Sequence, residues 1–312
     1  MPHFLILYLF CLLGCLGSVE VLRWSIGDAL VEVSAVETRI LAIPPKPKGV
    51  EDTQVSGEDG GFRYTEAVCA KQKPEHKDIC YHQLARQRSG TDLNGALQTC
   101  NLIQDKMTVH ECQSDVAEGY AAFDRDAALA VCPSIENPKW RDQCVFGIAY
   151  SYAVTDSEWA FSMCDKSGRW RDFCRHDVIG EMAVIDTAKA LGICGKEEGD
   201  LLTRKTCWHG IGKYLARRDV DRAYAACEQV PSGPNNLYIE NCIHGLGWGA
   251  SETLEESFIP QCDRSGPQKD SCLLGVAYNL RRIDRGRGLD VCQSVERPDL
   301  KRQCERFVGS KR

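Results

Sequence analysis

Thiols and imidazoles are the reactive side chains of this 312-residue sequence, and both recur at fixed spacing. Of 18 cysteines, sixteen lie from Cys69 to Cys304. An interval of twenty positions separates Cys80 from Cys100, Cys112 from Cys132, Cys144 from Cys164, Cys174 from Cys194, Cys207 from Cys227, Cys242 from Cys262 and Cys272 from Cys292. The gaps between these intervals vary from 10 to 15 positions, and Cys69 and Cys304 close the ends. Thiolates at this density could bind metal, attack as nucleophiles or pair. Structural zinc sites use close ligand pairs of the C-x₂₋₄-C kind, and none follows Cys15. No haem-attachment Cys-x-x-Cys-His occurs either. The thiols therefore read as structural, and neither metal nor cofactor is expected.

Histidine follows the same beat. The residues two and six positions after each opening cysteine are His82/Arg86, Ser114/Glu118, Phe146/Tyr150, His176/Gly180, His209/Lys213, His244/Trp248 and Leu274/Tyr278. Four of the seven histidines share this register. Packed helices stand about 8–10 Å apart, so successive imidazoles are poorly placed to share a metal ion. Either they are buried in packing, or they form a His/aromatic ridge that contacts a partner and titrates near the ordinary histidine range. On the second reading Phe146, Tyr150, His176, His209, Lys213, His244, Trp248 and Tyr278 are the binding candidates. No phosphate-binding glycine loop, H-E-x-x-H or G-x-S-x-G is present. A binding scaffold is thus the expected class. A secreted hydrolase acting on envelope material, or a spacer, is the alternative.

The elements that carry these residues repeat with the cysteines. Four positions after each opening cysteine stands an aliphatic residue: Leu84, Val116, Ile148, Val178, Ile211, Leu246 and Val276. A large apolar residue often follows four later, as at Tyr120, Tyr152, Met182, Leu215 and Leu280, which puts both on one helix face. Twelve positions on stands Asp92, Asp124, Asp156, Asp186, Asp219 or Asp284. Aspartate before an apolar-periodic stretch reads as a helix N-cap. The remaining repeat has Leu254 in that slot, with Thr253 and Glu256 as a capping box one residue earlier. Each unit is therefore helix A, a turn and helix B. Pro138 and Pro298 mark starts of helix A. Gly245, Gly247 and Gly249 in one helix mark either close backbone approach or a hinge.

Two disulfide connectivities fit this hairpin. One ties each fixed interval and leaves Cys69 and Cys304 single. The other closes each variable loop, pairing Cys69 with Cys80, Cys100 with Cys112, Cys132 with Cys144, Cys164 with Cys174, Cys194 with Cys207, Cys227 with Cys242, Cys262 with Cys272 and Cys292 with Cys304. It uses every repeat cysteine and is favoured. Each such loop is worth roughly 3 kcal/mol by chain entropy.

Residues 1–18 read as a secretory signal peptide, from the apolar run Phe4–Leu16, which is too short to span a membrane. Leu12-Leu13-Gly14-Cys15 also resembles a lipoprotein box, so a lipid on Cys15 is the only membrane attachment expected. Residues 19–61 form an N-terminal segment, undecided between strand and helix, and a Pro/Gly/acidic linker. Residues 62–312 are the repeat domain. Net charge of −6 argues against a nucleic-acid partner. Cysteine content points to a secreted, periplasmic or envelope protein. Arg281, Arg282, Arg285 and Arg287, followed by Lys301, Arg302, Arg306, Lys311 and Arg312, form either a solvated cap or a site for an acidic partner or an anionic membrane surface.

The passage Trp208-His209-Gly210-Ile211-Gly212-Lys213-Tyr214-Leu215 is similar to the W-x-x-L-G-x-x-Y opening of a tetratricopeptide repeat. Asp219 and Ala223 match the D-x-x-x-A of a Sel-one-like helix B, and Val116–Tyr120 and Ile148–Tyr152 echo the opening. Over about residues 62–312 the chain resembles the tetratricopeptide superfamily and its Sel-one-like branch. It departs in a shorter turn and in cysteine where the family often has an aromatic. The resemblance implies an all-α fold, a right-handed α/α solenoid of about seven helix-turn-helix repeats of 30–35 residues. It also implies a protein or peptide partner bound along the concave face.

Overall fold

The computed structural model describes residues 64–196 and 200–310. The expectations for residues 1–18, Cys15 and 19–61 lie outside the described residues. Contacts divide the described chain into two units, 64–185 and 186–310. Among the described residues every regular element is helical, none is a strand, and no helix is long and apolar enough to cross a membrane.

The first unit holds α1 (Glu66–Ala70), α2 (Pro74–Ser89), α3 (Leu93–Cys100), α4 (Lys106–Tyr120), α5 (Arg125–Val131), α6 (Pro138–Ser151), α7 (Ser157–Cys164) and α8 (Arg171–Ile185). The long helices pack in sequence, α2 on α4, α4 on α6 and α6 on α8, while α3, α5 and α7 bridge successive long helices. The second unit holds α9 (Thr187–Lys196), α10 (Leu201–Ala216), α11 (Val220–Cys227), α12 (Leu237–Leu254), α13 (Lys269–Ile283), α14 (Arg285–Gln293) and α15 (Pro298–Gly309). Here α10, α12 and α13 adjoin in turn, and α11 bridges α10 to α12. The aliphatic residues four after each opening cysteine are buried at every repeat.

Short helices of eight residues or so are not stable alone in water, and three devices hold them. The first is the cap. Carboxylates of Asp92, Asp124, Asp156, Asp186, Asp219 and Asp284 each accept a backbone N–H in the first turn of the helix that follows. The second is the disulfide. All eight bonds close the variable loops, from Cys69–Cys80 through Cys292–Cys304, with Cα atoms 5.2–5.7 Å apart. Eight bonds in one chain point to an oxidising environment. The third is a latch two positions before an opening cysteine. Asp78 accepts from the backbone N–H of Gln104 and Asp105, Asp142 from Arg169, and Asp270 from Glu296 and Arg297, so one carboxylate fastens the next loop down.

One hairpin departs from expectation. Thr253 does not cap a helix; its hydroxyl donates to the Ala250 carbonyl as α12 runs on to Leu254. Residues Glu255–Gln268 then form tight turns broken at Gly266, where φ is +51°. The reason is local: no aspartate caps this stretch, and Pro260 removes a donor where a helix would need one. Phe258 is fully buried beneath it, and the Tyr224 hydroxyl donates to the Gln261 carbonyl.

The glycines of α12 serve close approach rather than a hinge. A Cβ on Gly245 or Gly249 would stand 2.2 or 2.0 Å from the His209 or Lys213 carbonyl oxygen of α10. One on Gly247 would meet the Cys272 carbonyl of α13 at 2.2 Å. Gly192 on exposed α9 has nothing within 4 Å. Gly192→Ala should therefore raise stability by up to about 1 kcal/mol through helix propensity. Gly249→Ala should lower it by about 1–3 kcal/mol, since the clash outweighs that gain. Urea midpoints measure both, and a stabilised Gly249→Ala would refute the contact. Full reduction should abolish the helical circular dichroism at temperatures where the oxidised chain is folded; an unchanged spectrum and melting point would contradict the stapling role.

Candidate functional site

At 3.6 residues per turn, the positions two before and two after an inward aliphatic lie about 160° from it. In the second unit, Ile211, Leu246 and Val276 belong to the buried face. His209 and Lys213 of α10, His244 and Trp248 of α12, and Leu274 and Tyr278 of α13 therefore share the opposite side. Because α10, α12 and α13 touch through glycine, these side chains meet. His209 Nε2 and His244 Nδ1 are 2.9 Å apart. The His244 ring stands 5.2 Å from Tyr278 and 6.1 Å from Trp248, edge-on to both. The Lys213 Nζ lies 5.2 Å from the Trp248 ring centre, a cation–π contact.

Ion pairs border this cluster. Glu252 accepts from the Trp248 indole N–H at 3.0 Å and pairs with Arg217 and, at 3.7 Å, with Arg282. Arg217, Glu252 and Arg282 all stand ten positions after an opening cysteine. Opposite charges in one register of consecutive repeats were the signal that the sequence reading missed. The C-terminal arginines, expected as a solvated cap or an acidic partner's site, have partners within the chain. Arg281 donates to Ser310, Arg285 to the Gly309 carbonyl, and Arg287 pairs with Glu255 and Glu256.

His244 is held neutral. Burial, with the Lys205 charge second, pushes its pKa down to about 3. One ring nitrogen is engaged with His209, and Nε2 has no hydrogen-bond partner although buried. Either tautomer leaves one capacity unmet: a bare N–H or a bare lone pair. Such an orphan costs on the order of 1–3 kcal/mol.

An open ridge running through all eight candidates is not what the fold presents. Phe146 and His176 of the first unit are core side chains. Phe146 stacks on Trp170 at 6.4 Å, and His176, wholly buried, bonds the Asp177 carboxylate through Nδ1. Tyr150 is half-buried, and its hydroxyl donates to Glu181 at 3.1 Å. His209, Lys213, His244, Trp248 and Tyr278 come together but are buried. The register gives each side chain a direction; it carries no information about what lies there.

The first unit carries a separate polar group. His82 Nε2 is 3.0 Å from Asp115, and Arg86 is 3.9 Å from it. Glu118 lies one turn on, its carboxylate against Gly147 of α6. Burial first, and the Asp115 charge second, push the Glu118 carboxyl up to about 7, against the opposing pull of Arg86. It can hold or release a proton near neutrality. Among the described residues no group of three His, Cys, Asp or Glu is placed to hold a metal ion.

These two shifts contribute opposite slopes to the pH dependence of stability. The folded state binds the Glu118 proton more tightly than the unfolded chain, so its contribution is complete below about 4.5 and lost as pH rises through about 7. His244 acts oppositely: its contribution is present above 6.5 and lost as pH falls toward 3. Between pH 5 and 7.5, Glu118→Gln should flatten the alkaline decline of the urea midpoint. His244→Gln should flatten the acid one. Profiles parallel to wild type would refute these assignments.

Protein-family models, curated proteins and solved structures were compared with the chain, and none matches.

Proposed function

We propose that the protein is an exported scaffold, a right-handed α/α solenoid of about seven disulfide-stapled hairpins, that binds an extended protein or peptide segment on its helix-A faces. The reading extends the repeated order of long and short helices within each unit, and the resemblance to tetratricopeptide and Sel-one-like repeats. It rests chiefly on the cluster of His209, Lys213, His244, Trp248 and Tyr278. Aromatic rings and cations on one side of three adjoining helices, with an unmet hydrogen-bond capacity at His244 Nε2, suit a polypeptide ligand. A peptide backbone supplies both N–H and C=O, so it satisfies either tautomer of the histidine pair. The charge of Lys213 against the Trp248 ring favours an acidic ligand with apolar side chains.

Selection of displayed random peptides against the oxidised full chain tests this. Enriched sequences should combine acidic and apolar residues and bind in calorimetry. Lys213→Met and His244→Gln, shown folded by circular dichroism, should weaken them at least about tenfold, the size of one lost charged or buried polar contact. No enrichment, or affinities indifferent to both substitutions, would overturn the reading.

A further inference from the structure

A serine or threonine hydroxyl inside a helix can find a partner by turning back to its own backbone. Here Ser89, Ser151 and Ser251 donate to the carbonyl three residues before, and Thr99 and Thr206 to the carbonyl four before. Ser114 of α4 makes neither bond. The residue is 1% exposed, and its Oγ is buried without a hydrogen-bond partner. The hydroxyl is therefore turned from the α4 backbone toward the side that carries Glu118, one turn on. A buried hydroxyl left unmet is costly, and it marks a place where an outside group can bond.

Glu118 is unmet as well. Its carboxylate reaches over α6, where Oε2 stands 2.4 Å from the position of a Cβ on Gly147. The basic side chains nearby belong to Asp115, which holds His82 at 3.0 Å and Arg86 at 3.9 Å. Among the described residues none donates a hydrogen bond to Glu118. The charges that act on it are Asp115 of its own helix and Arg86 of α2; the other helices packed on α4, namely α3, α5 and α6, place none there. A desolvated carboxyl beside a second carboxylate, with no cation of its own, favours the protonated form, which is why it is pushed up to about 7. The group is open on one side, since the Arg86 and Asp115 side chains are 31% and 30% exposed and Glu118 is only half-buried.

We propose that Ser114 and Glu118 form a seat for an alkylammonium group, between α4 and α6 of the first unit. An ammonium carries three N–H donors and no acceptor, and the seat offers three acceptors: the two Glu118 oxygens and the Ser114 Oγ. The other ligand classes fit less well. A metal ion would need a third His, Cys, Asp or Glu, and among the described residues no such group occurs. An anion would meet the charges of Glu118 and Asp115. A neutral hydroxyl would leave the Glu118 charge as costly as before. The bound cation supplies the counter-charge that Glu118 lacks, so binding is coupled to loss of the Glu118 proton. The site lies within the first unit and does not depend on the cluster of the second.

An isotope label at the glutamate side-chain carboxyls of the full oxidised chain, read by nuclear magnetic resonance, tests the proposal. Glu118 is the resonance lost in Glu118→Gln. Near neutral pH and at constant ionic strength, n-butylammonium chloride should move this resonance saturably toward its ionised position. Tetramethylammonium chloride, a cation without an N–H, should not. Ser114→Ala removes only the unmet hydroxyl, so its melting temperature should be unchanged or higher. It should nevertheless bind n-butylammonium at least about tenfold more weakly. Nα-acetyl-lysine methylamide and alanine methylamide then distinguish a lysine side chain from a chain N-terminus as the source, and saturation by either supports the seat. Equal shifts with tetramethylammonium, saturation by calcium chloride at lower concentration, an affinity unchanged in Ser114→Ala, or no saturable shift would overturn it.

Discussion

The fold depends on fastening helices too short to persist alone. With nucleation costly and each added residue worth little, an eight-residue helix such as α3, α7 or α11 has no stability of its own in water. Each ends at or beside a cysteine bonded into the next long helix, and each starts at an aspartate that takes up orphan backbone donors. Packing of the aliphatic stripe then has something to act on. With no aspartate at its start and proline at 260, the stretch 255–268 is 3₁₀ rather than α-helical even though Cys262 is bonded to Cys272.

Much of this was legible in the residues. Helical hairpins, the six capping aspartates and the loop-closing arrangement of cysteines follow from spacing, because they depend on neighbours close in sequence. The aspartate latches at 78, 142 and 270 were not seen, because their partners lie 26 or 27 residues downstream in loops of changing length. The glycines of α12 were read as ambiguous, since a backbone carbonyl at 2.0 Å is a property of the adjoining helix. The candidate face shows the same limit. Register put His209, His244 and Tyr278 on one side, but whether that side meets water depends on what covers it.

Burial gives the two units different electrostatic characters. In the second, His244, which burial holds neutral, sits against His209 and beside Lys213 and aromatic rings. In the first, a carboxyl that titrates near neutrality adjoins an aspartate held by His82 and Arg86, which gives that surface a proton-exchanging group instead. One repeat pattern thus carries two chemistries, because positions two, three and six after the cysteine vary between repeats while the aliphatic residue at position four does not.

The loops between cysteines separate length from geometry. Spans of 10, 12, 13 and 15 residues all end at nearly the same Cα separation. A residue added within such a span lengthens the outward loop, while the two helices it joins keep their registration. The closed loops are therefore places where new sequence, including a recognition epitope or a label, can be inserted without disturbing the helical layer behind them.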